Sequence, residues 1–179
     1  KLDSWYKSNL ASYTSYLADE TFCNDRSIKS GDGYKLDSTT YYGAYSRIQD
    51  NKTPSLKCSQ ENDKFRVSST NAKLDYPVGL ILADEVAMAG GRGFYNGVSS
   101  PNSSYYLYNS KYFWTFSPSR FNSYASSAGV YIVAPSGAMN SGIGITNSAG
   151  VRPVINLKAN TLITKGDGSS LNPFTIKLG

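Results

Sequence analysis

A chain of 179 residues with 40% hydrophobic and 17% charged side chains suits one folded domain and excludes an intrinsically disordered tract. It contains no histidine, which removes at once the commonest general base, the commonest zinc ligand and every Ser–His or Cys–His dyad. The net charge of +5 is no nucleic-acid signature, because the basic residues of the second half (Arg92, Lys111, Arg120, Arg152, Lys158, Lys165, Lys177) stand singly along the chain.

The first predicted element lies within residues 1–22. LDSWYKSNLASYTSYLADETF places Leu2, Trp5, Tyr6, Leu10, Tyr13 and Leu17 at intervals of three and four, one face of an amphipathic helix that ends near Asp19–Thr21 and packs on the rest of a single domain. The chain opens at Lys1 without a methionine, as a processed or trimmed piece would, and it has no apolar run of membrane-spanning length. Any membrane association is therefore expected through segments outside this sequence.

Cys23 and Cys58 are too few for a structural zinc site. As an even pair in a chain rich in Tyr, Ser and Asn, they are expected to form one disulfide in an extracytoplasmic protein. In the loop-entropy view a bridge of that span stabilises by roughly 3–4 kcal/mol. Residues 24–60 read as turn chemistry. The GDG segment with Asp25, Asp32 and Asp37 lacks the alternating oxygen ligands and terminal glutamate of a calcium loop, so it is read as a solvated acidic loop.

KFRVSS (64–69) and YPVGLIL (76–82) read as short strands. The second runs into LADEVAMAGG, a helix of about two turns that starts at Ala83–Asp84 and stops at Gly90–Gly91. Asp84 and Glu85 head this helix and are followed by no other carboxylate until Asp167. Neighbours on a helix do not face each other across a cleft, so they are expected to satisfy its N-terminal N–H groups rather than to act as a catalytic pair.

Between Tyr95 and Gly150 the composition changes to 7 Tyr, 13 Ser, 6 Asn and 6 Gly, with only Lys111 and Arg120 charged. YYLY, YFWTF and VYIV are the expected apolar segments here, separated by Ser/Asn/Gly loops. VRPVINL (151–157), TLIT (161–164) and FTIKL (174–178) read as closing strands, the last two joined by a KGDGSSLNP turn. Phe113 or Phe116, Trp114 and Arg152 are expected to be structural, the arginine buried against carbonyls.

LILADEVAMAGG (80–91), YFWTFSPS (112–119) and GVRPVINLK (150–158), in that order, resemble the C-type-lectin-like domain of the formylglycine-generating-enzyme type. The closing GDGSSLNPF (166–174) is similar to the end of uncharacterised surface proteins of Gram-positive gut bacteria. The resemblance covers residues 76–179. It implies a C-type-lectin-like domain with a short second helix, small antiparallel sheets, a Ser-Pro turn, and a long irregular second half that displays a ligand face. The N-terminal amphipathic helix and the Cys23/Cys58 pair are not part of the family pattern; with that helix the expected fold class is α+β, C-type-lectin-like. It does not carry over the enzyme's activity, since no cysteine follows Cys58. Nor does it carry over the calcium-dependent sugar site of lectins, since no acid lies between Glu85 and Asp167.

The expected function is therefore that of a secreted or cell-surface binding module, not an enzyme, with no cofactor and no metal. It would engage a protein or glycan ligand through Tyr95, Tyr105, Tyr108, Arg120, Asn122, Tyr124, Asn140 and Asn147, because Tyr, Ser and Asn supply rigid contact area and adaptable hydrogen bonds. The alternative is the globular head of a minor pilin or other surface-fibre subunit, motivated by the helix that begins at Lys1.

Overall fold

The computed structural model of the chain describes residues 1–34, 38–93, 102–124, 127–169 and 171–177. Its apolar N-terminal stripe is helical, but only for two turns. Helix α1 spans Leu2–Asn9 and gives way to a 3-10 segment, Ala11–Tyr16. Leu10, at φ −129°, interrupts the helix, and the Asn9 side-chain amide donates to the Trp5 carbonyl beside the break. A 3-10 turn rotates by about 120° per residue instead of 100°, so the stripe drifts off one face. Tyr6 and Leu17 stay buried, whereas Trp5 and Tyr13 are exposed. The Tyr6 ring stacks on Tyr76 at 5.0 Å, and its hydroxyl lies 2.7 Å from Thr14 Oγ1. With Val78 and the partly buried Ile155, these residues form a small N-terminal core.

The chain then lays down β1 (Phe22–Cys23), β2 (Ile28–Ser30) and β3 (Thr40–Tyr42). Helix α2 (Gly43–Tyr45) follows and widens into a π-type turn over Ser46–Asp50. Next come β4 (Lys64–Phe65), β5 (Gly79–Leu80), helix α3 (Ala83–Met88) and β6 (Arg92–Gly93). The expected strands at 64–69 and 76–82 thus shrink to two residues each. β4 pairs with β1, and β5 pairs with a later strand.

Helix α3 matches its expectation and ends in a way the sequence explains. Gly90 sits at φ +105°, a left-handed conformation that glycine alone adopts without strain. This lets the Gly90 N–H reach the Ala87 carbonyl and the Gly91 N–H reach the Val86 carbonyl, closing the last turn.

The second half departs from the long irregular region implied by the resemblance. It holds the three longest strands, β7 (Phe113–Asn122), β8 (Ser127–Val133) and β9 (Ala138–Gly144). They are the centre of a six-stranded sheet in the order β2-β3-β7-β8-β9-β6, antiparallel except where β6 runs parallel to β9. Ser117 and Pro118, expected in a turn, lie inside β7. The ladder shifts register on both sides of Pro118, and a bulge is where a strand tolerates a residue with no N–H to donate. Strand β10 (Pro153–Val154) pairs with β5, and β11 (Leu162–Lys165) forms a hairpin with β12 (Thr175–Lys177).

Side chains along β7 alternate between buried and half-buried. One face of the sheet, with Phe113, Tyr131, Val133 and Met139, packs on Ala44, Ile48, Ile81, Ala83 and Val86 to make the main core. The architecture is therefore mixed α+β: few and short helices, small antiparallel ribbons and one larger curled sheet. Cys23 and Cys58 are bonded, with their Cα atoms 5.8 Å apart, and tie β1 to the segment after α2. No helix among the described residues is long and apolar enough to cross a membrane.

Candidate functional site

The adjacent carboxylates are both occupied by the fold. Glu85 Oε2 accepts from the Leu82 N–H at 2.7 Å, the helix-capping role expected of an acid in the first turn. Asp84 does something else. It is buried, and Arg47 grips it with two hydrogen bonds (Nε to Oδ1 at 2.7 Å, Nη2 to Oδ2 at 2.9 Å), while the Ser55 N–H adds a third at 2.9 Å. The remaining fork of Arg47 reaches Asp25 Oδ2. Asp84 is thus the anchor of an internal ion-pair network rather than a helix cap. Asp25, considered above for calcium, is a partner in the same network; Asp37 lies outside the described residues. Among the described residues no three acids, cysteines or histidines gather in a way that could hold a metal ion.

Arg152 is half-buried rather than buried, and one carbonyl holds it. Its Nη1 donates to the Leu107 carbonyl, and its guanidinium sits 5.1 Å from the centre of the buried Phe113 ring.

The expected contact residues divide into two groups. Tyr105 is a core side chain: only 7% exposed, it donates its hydroxyl to the Gly137 carbonyl and packs in the main cluster. Burial raises its pKa. Tyr108 is half-buried against the same cluster. Tyr105 is corrected from a ligand contact to packing, since a ring in a YYLY segment has apolar area that the core takes up first. Tyr95 lies outside the described residues.

Arg120, Asn122, Tyr124 and Asn147 share one end of the sheet. Arg120 and Asn122 sit two apart near the end of β7 and so point to one face. Asn122 Oδ1 accepts from the Tyr124 N–H at 3.0 Å in the turn towards β8, which leaves the Tyr124 side chain 98% exposed. Across the sheet Arg120 pairs with Gly129, and Gly129 pairs with Gly144. Asn147 lies in the turn that Gly144 opens, and its amide donates back to the Gly144 carbonyl. Asn140 pairs with Ile132, four residues back along β9 from Gly144 and so about 13 Å away; it does not join this end.

Two residues that sequence reasoning missed complete the group. Tyr41 on β3 is the cross-strand partner of Arg120, and its ring lies 4.4 Å from that of Tyr45 on α2. Burial, Tyr41 and Asp50 raise the Tyr45 hydroxyl, with Arg120 acting against them, so Tyr45 remains a hydrogen-bond donor at neutral pH. The signal was present in TTYYGAY, a β-branched and aromatic run inside a segment dominated by turn residues. Arg120 is half-buried and has no ion-pair partner among the described residues. A half-buried cation on the strand beside a packed pair of tyrosines, with amides and an exposed ring at the same end, offers flat contact area, one charge and several donors and acceptors.

Against known proteins, no family model, no curated protein and no solved structure matches this chain.

Proposed function

We propose that this chain is a secreted or cell-surface binding module that acts without catalysis and takes a protein or glycan ligand on the sheet end around Arg120. The observation that carries the reading is Arg120 opposite Tyr41, whose ring packs on Tyr45, with no carboxylate partner among the described residues and with Asn122, Tyr124 and Asn147 at the same end of the sheet. Half-buried Arg and Tyr side chains lose little entropy on binding, and such residues dominate interface energetics. The Cys23–Cys58 bridge supports an oxidising, extracytoplasmic setting. The non-enzymatic reading rests on the structural employment of Asp84 and Glu85. The C-type-lectin-like assignment belongs to the same proposal. What supports it is the order of its three segments and the passage of α3 from an acidic head to Gly90–Gly91.

An immobilised glycan and surface-protein array probed with the wild-type chain tests this. Ligands should be found whose signal drops at least tenfold in Arg120→Ala and in Tyr41→Ala while thermal stability is kept. An array with no ligand, or ligands indifferent to both substitutions, refutes the proposal.

One observation favours the alternative, a structural head of a surface fibre. The β11–β12 hairpin exposes Leu162, Ile163 and Phe174, and Leu171 in its connection is 96% exposed. A two-stranded ribbon of this kind is marginal by itself and gains stability by pairing. Sedimentation that stays monomeric up to high concentration would count against that reading.

A further inference from the structure

A cleft of about 420 Å³ opens where the N-terminal segment meets the closing hairpin. Backbone bonds fix its walls. The Ala18 N–H donates to the Asn156 carbonyl at 2.8 Å and the Lys158 N–H to the Tyr16 carbonyl at 3.1 Å, which ties the end of the 3-10 segment to the chain entering the hairpin. The Thr161 N–H then donates to the Lys158 carbonyl at 2.9 Å, closing a turn, and Leu162 at the start of β11 stands opposite Lys177 on β12. Lys158 and Lys177 therefore line the same cleft, with Ser15, Asn160 and Thr161 beside them.

Two features point to a ligand. The first is charge of one sign: no acidic side chain lines the cleft, and neither lysine has an ion-pair partner among the described residues. Folding gains nothing by bringing two cations together unmatched, whereas a cleft of one sign concentrates solutes of the other. The second is the kind of polar lining. Ser15 and Thr161 supply hydroxyls and Asn160 an amide, groups that both donate and accept, and none of these side chains hydrogen-bonds another described residue. The lining is apolar only at Leu162 and the half-buried Tyr16, too little for a hydrophobic ligand.

We infer that this cleft binds an acidic saccharide, one whose sugar units carry carboxylates. A carboxylate faces Lys158 and Lys177, and the sugar hydroxyls, each a donor and an acceptor, pair with Ser15, Asn160 and Thr161. An acidic peptide would match the lysines but would leave the hydroxyls and the amide to water. The volume falls within the range of small-molecule sites. None of these residues belongs to the Arg120 face, and the site does not depend on the function proposed there.

Isothermal titration calorimetry at low salt tests this, with trigalacturonate as the probe and its uncharged methyl ester and hexaglutamate for comparison. The wild-type chain should bind trigalacturonate at one site, more tightly than either of the others. Lys158→Gln and Lys177→Gln, both at exposed side chains, should each weaken binding about two- to fivefold, and less so in high salt. Asn160→Asp, which sets a carboxylate beside the lysines at nearly unchanged side-chain shape, should weaken it more than either. Lys29→Gln on β2 removes the same charge outside the cleft and should change nothing. An equal loss in Lys29→Gln would show attraction to the net charge alone and overturn the inference. So would hexaglutamate binding as tightly, which would make the cleft a site for acidic polypeptide, or trigalacturonate failing to bind the wild type.

Discussion

Replacing Arg47 by alanine should be among the most damaging single changes to this protein. Arg47 is the common partner of Asp84 and Asp25; its side chain is 20% exposed, that of Asp84 only 1% and that of Asp25 17%. Arg47→Ala removes two hydrogen bonds from a carboxylate that has no access to water and leaves it only the Ser55 N–H. Stranding a buried charge in this way costs about 3–5 kcal/mol, more than the pair itself contributes, because desolvation of Asp84 is no longer compensated. For a chain of this size that corresponds to a fall of roughly 6–20 °C in melting temperature. Circular dichroism melts of the oxidised protein would read it. The double variant Arg47→Met/Asp84→Leu should lose less than Arg47→Ala alone, since it removes the stranded charge along with its partner.

The same network predicts a pH dependence. Burial of Asp25 opposes its ionisation, but hydrogen bonds from Ser27 and Arg47 outweigh that and hold its carboxyl below the ordinary value. A depressed folded-state pKa stabilises above the unfolded value of about 3.9 and loses that contribution as pH falls through the folded value. The loss of melting temperature between about pH 6 and pH 3 should therefore be smaller in Arg47→Ala than in the wild type. If Arg47→Ala melts within about 2 °C of the wild type, Asp84 is not buried as described and the reasoning fails.

Two other outcomes follow from local geometry. Reduction of Cys23–Cys58, or Cys23→Ser/Cys58→Ser, should cost about 3–4 kcal/mol, read as the difference between melts with and without dithiothreitol; coincident melts would mean that the bridge constrains nothing in the unfolded chain. Gly137→Ala should destabilise more than the ordinary glycine replacement of about 1 kcal/mol, because Gly137 is at φ +80° and an added Cβ would stand 1.9 Å from the Asn102 carbonyl oxygen. A chemical-denaturation midpoint equal to that of the wild type would refute the close approach of 102 and 137.

Local chemistry alone located α3. Its acidic head, its apolar positions and the Gly-Gly stop are all short-range signals, and a left-handed C-terminal turn needs nothing from elsewhere in the chain. The pairing of Cys23 with Cys58 was equally legible, since two cysteines have one intramolecular solution. The hairpin β11–β12 was read from two β-rich runs around a glycine turn. Strand β9 was not legible: AMNSGIG has neither alternation nor β-branched enrichment, and it is a strand because β8 offers it a ladder. The contact face shows the same division. Arg120 and its neighbours stood out by composition, but only strand pairing could bring Tyr41 opposite Arg120 from 79 positions earlier in the chain, and only packing could withdraw Tyr105 into the core. Asp84 is the sharpest case. Its helix position was determined by sequence, but its employment was decided by Arg47, which arrives from another element and buries with it a charge that helix-end chemistry alone would have left in water.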